Sequence, residues 1–390
     1  MSATEQAVPM PALRSKLPDV GTTIFTVMTQ LAGKCGAINL SQGFPDFEGP
    51  QLLRDRAAWH MNHGHNQYAP LAGVPALCEA IAEKVSDLYG ADVDPAREVC
   101  VTPGATEALS TAIAAVIHPG DEAIIIDPAY DSYDPCVRLN GGVPVHVPMT
   151  AAFTIDWDRV RAAVTDRTRL LIVNSPHNPS GSAWTAEDID ALRTLLQESP
   201  LLVLSDEVYE HIVFDGREHL GLLRYPDLRE RAFVVSSFGK TYHATGWRVG
   251  YCIAPPVAMG EFLRIHQYTN FSANAPLQWA LADVIRELPE HHLGLGAFYQ
   301  RKRDLFLELL QATPLRCSPA AGTYFQCADY SAVSDRPDTD FAEWLTREVG
   351  VAAIPLSPFY AESPGHRLIR FCFAKDEATL QAAAERLRAL

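Results

Sequence analysis

Between Cys100 and Ile253 the chain alternates short, unbroken apolar runs with longer stretches of helical periodicity. The runs are Cys100–Thr102, Ala123–Ile126, Val143–Val147, Arg169–Val173, Leu201–Leu204, Ala232–Val235 and Val249–Ile253. A strand with one wet face alternates apolar and polar residues; these runs do not, so both of their faces are covered. After the first run, Leu109, Ile113, Val116 and Ile117 recur at helical spacing and predict a helix over Ala108–Ile117 that packs on a sheet. Strands separated by such helices predict an α/β domain with a mostly parallel sheet between helices.

The tail reads differently. From Pro289 the pattern predicts a long helix over Ala297–Ala312, short strands at Gly322–Cys327 and Leu368–Phe373, and a closing helix. That order describes a smaller α+β domain. The first residues precede the first βα unit and are expected to pack with it. The expected division is 44–285 for the large domain, with 1–43 and 286–390 forming the small one.

In open α/β sheets, ligands lie beyond the carboxyl ends of the strands. Five runs end in small, polar or turn-forming residues: Pro103-Gly104-Ala105-Thr106, Asp127-Pro128-Ala129-Tyr130, Asn174-Ser175-Pro176-His177-Asn178, Ser205-Asp206-Glu207-Val208-Tyr209 and Ser236-Ser237-Phe238-Gly239-Lys240. Five such ends on one edge predict a shared site. Gly104-Ala105-Thr106 opens a helix whose free N–H groups suit a phosphate, although the same residues would serve as a plain N-cap. Lys240 stands beside Gly239 and hydroxyls, with Arg248 soon after. Most lysines are simply solvated, but one desolvated near a cation loses its proton readily and becomes a nucleophile. Asp206, after an apolar strand, is either an N-cap or the partner of a buried cation such as a pyridinium nitrogen. Tyr209 would reach the same face, and Tyr130 offers a flat ring for stacking. Arg370 interrupts the apolar run Leu368–Phe373; a guanidinium buried there needs an anion, either a local Asp or Glu or a substrate carboxylate.

Composition narrows the setting. At 390 residues the chain exceeds a single core, in keeping with two lobes. The formal charge of −15 argues against a nucleic-acid partner but not against a small anionic substrate, which a few clustered arginines can hold. No run approaches the ~18 apolar residues of a membrane helix, and Met1–Leu13 lacks the basic and apolar regions of a secretory signal. The eight cysteines are scattered without a CxxC pair, which predicts buried, reduced thiols in a cytoplasmic protein. No GxGxxG or Walker sequence follows any strand, which counts against a nicotinamide or nucleotide enzyme. His60, His63 and His65, and the His291-His292 pair, lack the residues that would complete a zinc set, so no metal is expected.

Taken together, SQGFPDF (Ser41–Phe47), NQYAPLAG (Asn66–Gly73), PGATEAL, DPAYDSY, NSPHNPSG (Asn174–Gly181), SDEVYE, SSFGKTYHATGWRVGY (Ser236–Tyr251) and LIRFCFAKDEATL (Leu368–Leu380) resemble the class I/II aminotransferases of fold-type I. The resemblance runs from about Gly21 to the C-terminus and is strongest for the branch that holds kynurenine aminotransferase, glutamine transaminase K and bacterial methionine aminotransferase. It implies a seven-stranded sheet in the large domain, pyridoxal phosphate as cofactor, and a homodimer with a shared active site. It implies that Lys240 holds the cofactor as a Schiff base and shuttles the proton. Asp206 would pair with the ring nitrogen, Tyr209 and Asn178 with the ring oxygen, and Tyr130 would stack on the ring. Gly104, Ala105, Thr106, Ser237 and Arg248 would take the phosphate, with Tyr68 from the neighbouring subunit. Arg370, Asn178 and the backbone of Gly43 would take the substrate carboxylate, and Phe25 and Phe271 would line the side-chain pocket. Ser272 stands where kynurenine aminotransferases tend to carry His, which counts against kynurenine. The implied activity is ping-pong transamination between amino acids and 2-oxo acids, with methionine first among neutral donors, then aromatic or glutamine-like ones. Cysteine-S-conjugate β-lyase or kynurenine aminotransferase activity is the alternative.

Overall fold

The computed structural model describes residues 13–390, so the reading of a leader at Met1–Leu13 falls almost wholly outside the described residues. In chain order the strands are β1 (Ile38–Asn39), β2 (Val99–Thr102), β3 (Glu122–Asp127), β4 (Val143–Pro148), β5 (Thr168–Asn174), β6 (Leu202–Asp206), β7 (Ala232–Ser237), β8 (Gly250–Ile253), β9 (Phe325–Asp329), β10 (Val351–Ala352), β11 (Ile354–Pro355) and β12 (Leu368–Cys372). Seven of them form one sheet in the order β2-β8-β7-β6-β5-β3-β4. From β7 to β4 every pairing is parallel, whereas β8 runs antiparallel to both β2 and β7.

Apolar residues on both faces of these strands explain why the runs do not alternate. Along β3, Ala123 and Ile125 face a cluster that includes Leu109 and Ile113, while Ile124 and Ile126 face a second one with Ile189 and Leu192. Each of the isoleucines and leucines contributes about 1.5–3 kcal/mol of apolar burial. The helix after β2 spans Ala105–Val116, a turn earlier than the sequence pattern placed it, because its first turn, Ala105-Thr106-Glu107, holds no large apolar residue to mark the period. β4 departs from the expectation of full coverage. It is the edge strand, and Val143 is 44% exposed.

A second sheet, β11-β12-β9, is antiparallel and places Arg370 between Cys327 and Ile354. β1 pairs in parallel with β10, and the N–H of Cys372 donates to the carbonyl of Leu40 at 2.8 Å. The N-terminal segment is thereby stitched to the C-terminal one. Further boundaries differ from the sequence reading. β9 starts at Phe325, not Gly322, because Thr323 takes a left-handed φ of 66° and the chain turns there. β8 starts at Gly250, since Arg248 is left-handed at φ 54°. The long helix runs Leu295–Leu310. The cysteines are less uniformly buried than expected: Cys35 is exposed, and Cys317 and Cys327 are half-buried.

The histidine clusters have ordinary partners. His60 bonds Asp283 at 2.8 Å, His63 stacks on Trp59, and His291 meets the carbonyl of Thr241 at 2.9 Å.

Candidate active site

The parallel strands deliver their C-terminal ends to one edge. Because β8 runs the other way, its first residue arrives there too, with Gly250 opposite both Thr102 and Ser237. That reversal brings Arg248 to the start of the helix Ala105–Val116. The approach is close enough to require glycine at two positions. A Cβ on Gly104, whose φ is 84°, would lie 2.5 Å from Arg248 Nη2, and one on Gly250 would lie 2.7 Å from the Ala105 nitrogen. No side chain caps this helix, so its first N–H groups and the Arg248 guanidinium converge on one spot, an arrangement suited to an anion.

A cavity of about 120 Å³ opens beside that spot. Ala105, Thr106, Tyr130, Asn178, Asp206, Tyr209, Ser237, Lys240 and Arg248 line it, together with Leu109, Asn174 and Val208. Lys240 lies in the single helical turn Phe238–Thr241 after β7, and its Nζ reaches the carbonyl of Gly43 at 3.4 Å. Burial pulls the amine down to about 8, and the neighbouring cations Arg248 and Arg370 act in the same direction. Asp206 ends β6, 4% exposed. Burial lifts its carboxyl to about 6 in spite of Tyr133, whose hydroxyl donates to Oδ2 at 2.6 Å. Tyr209 lies on the same side, its ring centroid 5.7 Å from Lys240 Nζ, and Tyr324 matches it at the same distance.

Arg370 is fully buried in β12. Its Nη1 donates to Asn178 Oδ1 at 2.5 Å and its Nη2 to the Ser41 carbonyl at 3.1 Å, so its hydrogen bonds go to neutral oxygens. Its Nε, also buried, has no partner among the described residues. Three rings crowd the guanidinium: Phe325 at 3.8 Å, Phe25 at 5.3 Å and Phe359 at 5.6 Å from the ring centroids.

Most of the residues singled out in the sequence thus converge, but not all do. Gly104 lies beneath Arg248 without lining the cavity. Gly43 meets Lys240 and the Tyr324 hydroxyl through its carbonyl, an acceptor. Tyr68 and Phe271 are not in this chain's cavity; they are 84% and 46% exposed and pack on each other with centroids 5.4 Å apart. Sequence reasoning missed Tyr133, Asn174, Tyr324 and Phe359. Asn174 is the most consequential of these, since its amide donates to the Asp206 carbonyl at 2.7 Å while its Oδ1 accepts from the Asn178 N–H at 2.7 Å. A strand-terminal Asn inside NSPHNPSG was the available signal.

Comparison with known proteins gives the same picture. Residues 36–387 match the family Aminotransferase class I and II. A methionine aminotransferase from Escherichia coli (strain K12) is 53% identical over 97% of this chain and 98% of its own length. A crystal structure from Escherichia coli described as identifying a methionine aminotransferase function superposes with a TM-score of 0.96, covering 98% of this chain and all of that one. Kynurenine–oxoglutarate transaminase 1 of Mus musculus is 34% identical over 92% of this chain and 93% of its own length. With a match over nearly its whole length and a lysine, a buried carboxylate and an anion cradle on one sheet edge, the chain belongs to the class I and II aminotransferases, enzymes that transfer amino groups with the help of pyridoxal phosphate.

Proposed function

We propose that this chain binds pyridoxal phosphate in the cavity at the strand ends and exchanges amino groups between amino acids and 2-oxo acids, with methionine the preferred donor. The observation that carries the reading is Lys240, an amine that burial pulls down to about 8 in the cavity it shares with the Arg248 cradle and the Asp206 carboxylate.

The residues present fit the cofactor. The cradle that a Cβ on Gly104 would fill suits its phosphate, held by Ala105, Thr106, Ser237 and Arg248. A buried carboxylate at Asp206 calls for a cation, and a protonated pyridine nitrogen is one. Tyr130 would stack on the ring, and Tyr209 and Asn178 would hold its oxygen. When bound, the cofactor supplies the electron sink that stabilises negative charge at the substrate α-carbon.

The chain's own residues do the rest. Arg370 takes the substrate carboxylate with its planar fork, aided by the Asn178 amide and the Gly43 N–H. Lys240 Nζ moves the α-proton, and an amine titrating at about 8 serves as both acid and base near neutrality. Tyr324 and Tyr209 restrict where that amine can point. Phe25 and Phe359 give the substrate end an aromatic wall, which favours a thioether or an aromatic side chain over a second carboxylate.

The proposal extends to the assembly. Tyr68 and Phe271 form an exposed aromatic pair outside their own cavity, which supports a homodimer in which they complete the partner's site. Residues 44–285 and the paired segments 1–43 and 286–390 are proposed as its two domains. Eight unpaired cysteines favour the reducing cytoplasm.

A donor panel against a fixed 2-oxo acid tests the substrate assignment. Methionine should give the highest kcat/KM, followed by aromatic amino acids and glutamine. Kynurenine ranking first would overturn the assignment, and release of pyruvate and ammonia from cysteine conjugates in place of amino transfer would overturn the reaction.

A further inference from the structure

A second polar cluster lies behind the site. His146 of the edge strand β4 is bonded on both ring nitrogens, Nδ1 to Asp127 Oδ1 at 2.8 Å and Nε2 to Asp134 Oδ2 at 3.0 Å. An imidazole that meets a carboxylate at each nitrogen must donate at both, which makes it a cation. Burial works against that charge, but the two carboxylates outweigh it and hold the group up to about 9. Arg138, one turn beyond Asp134, is paired with it at 2.7 Å. Across the seam, Tyr360 is the titratable group that faces Asp127.

Asp127 has a second duty. Its Oδ2 accepts the N–H of Ala361 at 2.8 Å, and two residues on, the N–H of Ala129 donates to the Phe359 carbonyl at 2.7 Å. These two bonds tie the C-terminal segment Phe359–Ala361 to the turn that carries Tyr130. Phe359 is the ring that stands against both Arg370 and Phe25, with 5.6 Å between its centroid and that of Phe25. A carboxylate free to rotate cannot hold one amide in place, whereas a carboxylate pinned through its other oxygen can.

We propose that His146 is a positioning residue for substrate binding: clamped between Asp127 and Asp134, it fixes the Asp127 carboxylate so that the Phe359–Ala361 segment keeps the Phe359 ring against Arg370 and Phe25. The inference rests on the proposed seat of the substrate carboxylate at Arg370. It assigns His146 no contact with substrate or cofactor.

Two variants of the cofactor-loaded enzyme test it. His146→Leu removes both donors, while His146→Arg keeps a fixed cation that can bridge two carboxylates. Hydrogen exchange at the Ala361 amide reads the bond to Asp127 without reference to turnover. In the Leu variant Ala361 should exchange about tenfold faster than in wild type, and KM for methionine should rise by a similar factor with kcat changed less than about twofold. His146→Arg should restore both. In wild type, protection of Ala361 should fall as pH rises through about 9, and in His146→Arg it should not. This last pair of measurements decides the matter even where the Leu variant does not fold. Unchanged exchange in the Leu variant, or the same pH dependence in wild type and Arg variant, would overturn the proposal. So would faster exchange with no change in KM, and that result leaves Arg370 to its own test.

Discussion

Arg370 and Asn178, 192 residues apart in the chain, meet at 2.5 Å through Nη1 and Oδ1. The contact ties the apolar strand β12 to the loop after β5, and it fixes one arm of the guanidinium while Nε has no partner among the described residues. A cation this buried, bonded only to neutral oxygens, is prepared for a carboxylate.

Arg370→Lys retains the charge and loses the fork. We expect kcat/KM to fall by about 2–4 kcal/mol, a factor of tens to hundreds, and by a similar factor for methionine, phenylalanine and glutamine, since all share the α-carboxylate. A penalty confined to one donor would mark Arg370 as a side-chain contact. The absorption spectrum of the bound cofactor should survive the change.

Asp206 is expected to act on chemistry more than on binding. Asp206→Asn should lower kcat far more than it raises KM, because the neutral amide no longer holds a proton on the ring nitrogen. Tyr133→Phe removes the hydroxyl 2.6 Å from Asp206 Oδ2 and should cost about 1.5–3 kcal/mol of stability, read by urea denaturation. Wild-type turnover in Asp206→Asn would refute the pairing.

The amine of Lys240 should titrate at about 8 in the cofactor-free protein, well under a solvated lysine at about 10.4. Competitive labelling with an amine-specific reagent across pH gives the midpoint. Burial is the main cause, with Arg248 contributing, so Arg248→Gln should raise the midpoint. A midpoint near 10.4 would contradict the burial argument.

Behind the site, Lys84 bonds Glu210 at 2.8 Å and the Tyr251 hydroxyl at 2.7 Å, and all three groups are buried. Burial alone would raise the Glu210 carboxyl; Lys84, His211 and the Ser236 hydroxyl hold it well below the usual range instead. Its contribution to stability is therefore present above the unfolded carboxylate pKa of about 4.3 and is lost as pH falls through lower values. Lys84→Met leaves the carboxylate unpaired and should cost about 3–5 kcal/mol at pH 7. The deficit should shrink on acidification as Glu210 takes up a proton. Denaturation curves at two pH values check both size and sign.

The sequence made Lys240, Asp206 and the Gly104 cradle legible because each ends or follows an apolar run, and the sheet turns adjacency in pattern into adjacency in space. It left Tyr133 and Phe359 unread for the opposite reason. Tyr133 meets Asp206 from 73 residues away, and Phe359 reaches Arg370 from the single 3₁₀ turn Ser357–Phe359, too short to carry a period. β1 and β10, at two residues each, are too short to show alternation. The helix Gln51–Asn62 does carry a period, at Leu53, Ala57 and His60, but a histidine in the apolar stripe hides it. Tyr68 and Phe271 lie outside their own chain's cavity and pack on each other, a placement that no periodic pattern marks.

The central claim is that Lys240 carries the cofactor. Borohydride reduction of the purified enzyme, proteolysis and mass spectrometry test it directly. The account predicts the mass of reduced pyridoxal phosphate on the peptide containing Lys240 and on no other. A label on any other lysine, or no label on an enzyme that still turns over, would contradict it.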